Sequence, residues 1–120
     1  MIVERTRWHR LPLTSHGDNV PAGPLRVRIA GRDLCLVRSD DGWYALADRC
    51  PHQGKPLSGG WCEGHHLICP WHRFAFDVRT GASIHGTTVN VEVFNTEQRE
   101  GAWYVGIPYT TIRILGFDLW

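Results

Sequence analysis

Long apolar runs are missing from this 120-residue chain. No stretch approaches the roughly 18 uncharged apolar residues of a membrane span, and the most apolar segment, Ile107 to Trp120, is broken by Arg113 and Asp118. The first residues, with Glu4, Arg5 and Arg7 before Trp8, hold no apolar core of the secretory kind. Charge of one sign is also lacking: Lys+Arg 13 against Asp+Glu 12 leaves +1, too even for a nucleic-acid surface that works by counterion release. There is no internal repeat and no low-complexity tract, and 42% hydrophobic with 21% charged residues excludes wholesale disorder. These absences predict a cytoplasmic protein with neither membrane nor nucleic acid as partner, short enough for a single domain over 1–120. Four cysteines without an export signal then read as thiols or metal ligands, not as a disulfide framework.

What is abundant is turn chemistry. Gly 13 and Pro 7 make about one residue in six, which favours short strands over long helices. Leu25, Val27 and Ile29 alternate with Arg26 and Arg28, as a half-buried strand does. Ala30-Gly31-Arg32-Asp33 reads as a hairpin turn into a strand over Leu34, Cys35, Leu36 and Val37. Ser39-Asp40-Asp41-Gly42 is a second turn, leading into Trp43–Leu46. Val89, Val91 and Val93 suggest a further strand, and Glu97 to Gly101 a turn into Trp103, Tyr104 and Val105. The pattern predicts an all-β fold of antiparallel sheets, a sandwich or barrel.

Between these strand groups, from Arg49 to about Gly86, the chain changes character. This stretch holds three of the four cysteines and five of the seven histidines, and a long irregular segment in a small domain is usually functional. It reads as an inserted subdomain of loops and small hairpins at about 49–86. Within it stand Cys50-Pro51-His52 and Cys69-Pro70-Trp71-His72, spaced C-x-H-x16-C-x2-H. Each loop offers one thiolate and one imidazole. A zinc site would accept these donors but usually opens on a C-x2-C-like knuckle. The C-x-H spacing is better suited to two neighbouring irons, Cys50 and Cys69 on one and His52 and His72 on the other. Packed cysteines beside incidental histidines are the third reading.

The segment CPHQGKPLSGGWCEGHHLICPWHRFAFDVRTG resembles the cluster-binding region of Rieske-type [2Fe-2S] proteins, the small soluble Rieske ferredoxins in particular, over about Arg49 to Gly81. The resemblance implies stacked antiparallel sheets, with one [2Fe-2S] Rieske cluster at the tip of the inserted subdomain. It makes Cys50, His52, Cys69 and His72 the metal and cofactor ligands, with the imidazole edges outermost. Two ferric ions, two sulfides and two thiolates sum to zero, where four thiolates would leave −2. Each extra negative charge about 4 Å away opposes an added electron by ~4 kcal/mol at an effective dielectric near 20. The histidines therefore place the centre above Cys-only clusters in potential.

Two departures point to the low end of the Rieske range. Respiratory Rieske proteins link their loops by a disulfide whose partners would fall at Lys55 and Trp71, so this chain cannot form it. They also carry hydroxyl side chains where this chain has Phe74 and Phe76. Without those donors to cluster sulfur, a potential at or below about −50 mV is expected. Trp71, Phe74 and Pro70 are expected to shield the centre, and Gly54, Gly59, Gly60 and Gly81 to sit at turns needing permissive backbone angles. Cys35 and Cys62 read as packed thiols, His65 and His66 as a solvated turn, His85 as a loop histidine, Lys55 as a candidate partner contact, and the tail from Tyr109 as an extra strand.

By the same resemblance the chain is an electron-transfer protein, not itself an enzyme. It would take single electrons from a flavoprotein reductase and pass them to a terminal oxygenase or reductase docking transiently near His52 and His72. The alternative is a small Rieske subunit of a larger reductase, such as a nitrite reductase. A complete oxygenase is excluded by size, since no room remains for a separate two-His, one-carboxylate iron site.

Overall fold

A computed structural model describes residues 2–14, 24–39, 42–51, 54–70, 73–84, 89–114 and 117–118. The strands are β1 (Ile2–Thr14), β2 (Leu25–Ile29), β3 (Arg32–Ser39), β4 (Gly42–Ala47), β5 (Trp61–Glu63), β6 (His66–Ile68), β7 (Ala75–Asp77), β8 (Val93–Phe94), β9 (Thr96–Arg99), β10 (Ala102–Ile114) and β11 (Phe117–Asp118). They form three antiparallel sheets. The first joins β1, β9 and β11 to β10, the second runs β2-β3-β4-β8, and the third runs β5-β6-β7. The all-β, stacked-sheet expectation is met, and the third sheet is inserted in the chain between β4 and β8.

The middle sheet is covered on both faces, and β3 shows why its sequence is uniformly apolar. Side chains alternate across a strand. Leu34 and Leu36 therefore enter one core with Leu11, Leu13, Trp43, Ala45, Phe94, Val105 and Ile107. Cys35 and Val37 enter another with Leu46, Cys50, Leu57, Leu67, Cys69 and Phe76. The first core joins the middle sheet to the β1–β10 sheet. The second joins it to the β5-β6-β7 sheet and the two cysteine loops. A strand buried on both sides reads as a continuous apolar run, as Leu34–Val37 does.

Two tight hairpins set the register. Ala30 and Gly31 both have positive φ, 52° and 76°, the backbone a two-residue turn needs between right-twisted strands. The turn is narrower than the sequence suggested, because Arg32 and Asp33 already pair with Ile29 and Arg28. Glu100 and Gly101, at φ 49° and 80°, repeat the device between β9 and β10. Residues 96–99 are therefore strand, which corrects the broader turn expected over Glu97–Gly101. Ser39 pairs with Gly42 across the predicted second turn, whose residues 40–41 lie outside the described ones.

The valine alternation also needs correction. Only Val93–Phe94 is strand; the Val91 N–H donates to the Gly81 carbonyl, and the Glu92 carbonyl accepts from the Ala47 N–H. Those bonds tie the segment to a loop and a sheet edge instead of a ladder. In the tail, the predicted extra strand is the far half of β10, paired with β1 from Ile2↔Ile112 inward, followed by β11 against Arg113 and Ile114. The long first strand had no counterpart in the sequence reading. Among the described residues no helix is long and apolar enough to cross a membrane.

Candidate metal centre

Both cysteine loops leave a short strand and return by the same closure. The Cys50 N–H donates to the Lys55 carbonyl and the Cys69 N–H to the Phe74 carbonyl, each at 2.8 Å and each five residues on. In the first loop the Gly54 N–H also returns to the Cys50 carbonyl at 2.8 Å. Gly54 has φ +68°, and a side chain there would meet the Arg49 guanidinium. The second loop is the hairpin connection between β6 and β7, whose last rung is Ile68↔Ala75. Its Arg73 adopts φ 54° without being glycine, a conformation costing about 1–2 kcal/mol and characteristic of functional loops.

The two loops deliver Cys50 and Cys69 into one core. Both are 0% exposed, outside any disulfide, and packed with Leu57, Leu67, Phe76 and Val78. Leu57 arrives from the 3-10 turn Leu57–Gly59 that closes the first loop. Gly60 ends this turn with φ −90°, so the permissive-angle expectation is wrong there. Its need is steric, since a Cβ would stand 1.9 Å from the Ile68 carbonyl oxygen. Gly59 likewise shows no positive φ, whereas Gly54 and Gly81 do. Phe74 is half-buried and Phe76 fully buried in the same core, while Pro70 is exposed.

His52, His72, Trp71 and His85 lie outside the described residues. Cys50 and Cys69 are the described half of the expected ligand set, and among the described residues no three metal-binding side chains converge. The chemistry of the two thiols fits a soft metal: buried, without disulfide partners, and carried by loops of one design. The other thiols behave as packing groups. Cys35 is 0% exposed on β3, and its thiol is pushed far up by burial, then by the Asp48 charge and by Cys62. Burial also raises the Cys62 thiol. His65 and His66 are partly buried, not a solvated turn, and His65 Nδ1 lies 2.6 Å from Ser39 Oγ. Lys55 is exposed on the first loop, as a docking residue needs to be.

The sequence reading missed Asp48. Its carboxylate accepts the Ser58 N–H and hydroxyl, both at 2.7 Å, and so ties the end of the first loop to its start. An acidic residue two places before the first cysteine was the available signal.

The family model for the Rieske [2Fe-2S] domain matches residues 10–96. The chain belongs to that family. Ferredoxin CarAc of Metapseudomonas resinovorans is 36% identical over 79% of this chain and 91% of its own. A 4beta-methylsterol monooxygenase of Methylococcus capsulatus is 47% identical, but over 43% of this chain and only 14% of its own length. A solved complex of reduced oxygenase and oxidized ferredoxin in carbazole 1,9a-dioxygenase has a chain 36% identical, matched over 79% of this chain and 99% of that one with TM-score 0.68. A putative NADH-dependent nitrite reductase small subunit from Mycobacterium tuberculosis has TM-score 0.74 over 86% of this chain and 96% of that one. At 22% identity that likeness shows the fold alone.

Proposed function

We propose that this Rieske chain is a ferredoxin component, a one-electron carrier between a reductase and a terminal oxygenase or similar enzyme. The observation that carries this reading is the matched closure of two loops that bury Cys50 and Cys69 in a single core. In it, Cys50 and Cys69 hold one iron through their thiolates, and His52 and His72 hold the other through ring nitrogens. A [2Fe-2S] cluster so bound supplies a site that gains and loses one electron with little movement of its ligands. The chain's residues do the rest. Leu57, Leu67 and Phe76 exclude water from the thiolate end, and the two amide-to-carbonyl closures fix the cysteines.

The single domain would span 1–120, with the cluster-binding subdomain at about 49–86. The donor is a flavoprotein reductase, and the acceptor docks transiently near His52 and His72. The similarity to ferredoxins along nearly their full length supports this partner scheme. Docking of this kind uses a small interface, and a net charge near zero leaves little long-range steering.

Electron paramagnetic resonance of the dithionite-reduced protein, with iron and acid-labile sulfide counted, is the test. Two irons, two sulfides and a rhombic signal with average g below that of a Cys-only cluster are expected. A colourless protein carrying stoichiometric zinc would overturn the reading.

A further inference from the structure

Among the described residues, Asp48 and Thr111 are the buried polar side chains, and Asp48 is the charged one. It stands directly after β4 and two residues before Cys50. Its carboxylate has no exposed surface, yet its compensation is thin: two hydrogen bonds from Ser58, and Arg26 Nε at 3.6 Å from Oδ2. The Arg26 side chain is 52% exposed, so water screens much of its charge. Its main chain is fixed as well, the Asp48 N–H donating to the Asp33 carbonyl at 2.9 Å.

A buried carboxylate is costly, and a neutral amide could make both bonds to Ser58, with its oxygen accepting and its nitrogen donating. The negative charge is therefore more than the loop closure needs. Its main chain runs on within two residues to Cys50, in the core that also holds Cys69. Cys35 lies in that core, and the Asp48 charge is, after burial, the next cause of its raised thiol.

We propose that Asp48 is a positioning residue with two separable effects. Its bonds to Ser58 close the first loop around Cys50, and its buried negative charge makes the thiolate-bearing core a poorer acceptor of an added electron. This rests on the reading that Cys50, His52, Cys69 and His72 hold a two-iron centre.

Three variants separate the effects in the iron-loaded protein, read by redox titration and by amide hydrogen exchange. Asp48→Asn keeps the shape and removes the charge, so its reduction equilibrium should shift toward the reduced form by on the order of tenfold, 59 mV for a one-electron couple. Ser58→Ala keeps the charge and removes one bond. Its potential should stay within about twofold of wild type in equilibrium terms, while exchange at the Gly54 N–H speeds up by on the order of tenfold. Arg26→Gln removes a charge that water screens, at an exposed position. It should shift the equilibrium toward the oxidised form by less than Asp48→Asn shifts it the other way, about twofold. A shift in that sense supports the charge effect should Asp48→Asn fail to fold. Equal potentials in wild type, Asp48→Asn and Arg26→Gln would overturn the charge effect, and unchanged Gly54 exchange in Ser58→Ala would overturn the closure. Absence of iron from the wild type would instead sink the two-iron reading beneath both.

Discussion

Gly81 and Gly31 share nearly the same backbone, φ +77° and +76°, but not the same surroundings. A Cβ on Gly31 meets nothing within 4 Å, whereas one on Gly81 would stand 2.0 Å from the Val91 carbonyl oxygen. Gly31→Ala should therefore cost about 1–2 kcal/mol from the left-handed backbone alone. Gly81→Ala should cost roughly twice that, since the Val91 backbone must also move. Urea midpoints on the two variants check this, and equal losses would mean that the 81–91 contact yields without penalty. At the same scale, burial predicts thiol behaviour. Iodoacetamide at pH 8 should leave Cys35 unmodified in the folded protein and reach Cys62 only slowly, as read by peptide mass spectrometry. Alkylation of Cys35 at the rate of a free thiol would show that the strand carrying it opens readily.

Among the elements, the turn after β7 combines backbone bonds between Asp77 and residues 81–82 with the Asp77 carboxylate. Asp77 Oδ1 accepts the Arg79 N–H at 2.8 Å, and Oδ2 lies 3.2 Å from Arg79 Nη2. These Arg79 interactions hold the Asp77 carboxyl below its ordinary 3.8. A group so depressed contributes stability that is full above pH 3.8 and lost as pH falls through its folded value. Asp77→Asn should therefore be less stable than wild type at pH 7 and lose less on acidification to pH 3, as read by urea titration at both values. Equal acid sensitivity would assign the loss to other carboxylates. The elements also show what sequence can disclose. Leu34–Val37 and Leu25–Ile29 were legible because period two maps directly onto buried faces. So was the cysteine-bearing insertion, because cysteine and proline recur in both loops. Val89–Val93 shared that period, but its amide and carbonyl partners are a loop and a sheet edge, which no alternation encodes. β1 was invisible for the opposite reason. Among its described side chains only Leu11 and Leu13 are buried, and the strand pairs with one about a hundred residues away along the chain. Asp48 and Ser58 were illegible as a pair because their bond depends on the path of the loop between them.

At the scale of the whole molecule, the family match ends at residue 96, but the fold does not. β10 begins at Ala102, sends Val105 and Ile107 into the core against the middle sheet, pairs with β1 as far as Ile112, and carries Arg113 and Ile114 against β11. Limited trypsin digestion should therefore cut after Arg113 on the order of a hundredfold more slowly in the native protein than in the urea-unfolded chain. Rapid native cleavage there would mean that the β10–β11 pairing opens readily.

The shared burial of Cys50 and Cys69 bears finally on how the protein is made. Both thiols are 0% exposed in the core that joins the β5-β6-β7 sheet to the middle sheet, so among the described residues neither opens to solvent. Were the proposed ligands to hold a [2Fe-2S] cluster, its loading would precede closure of that core, since neither thiol faces solvent once the core has formed.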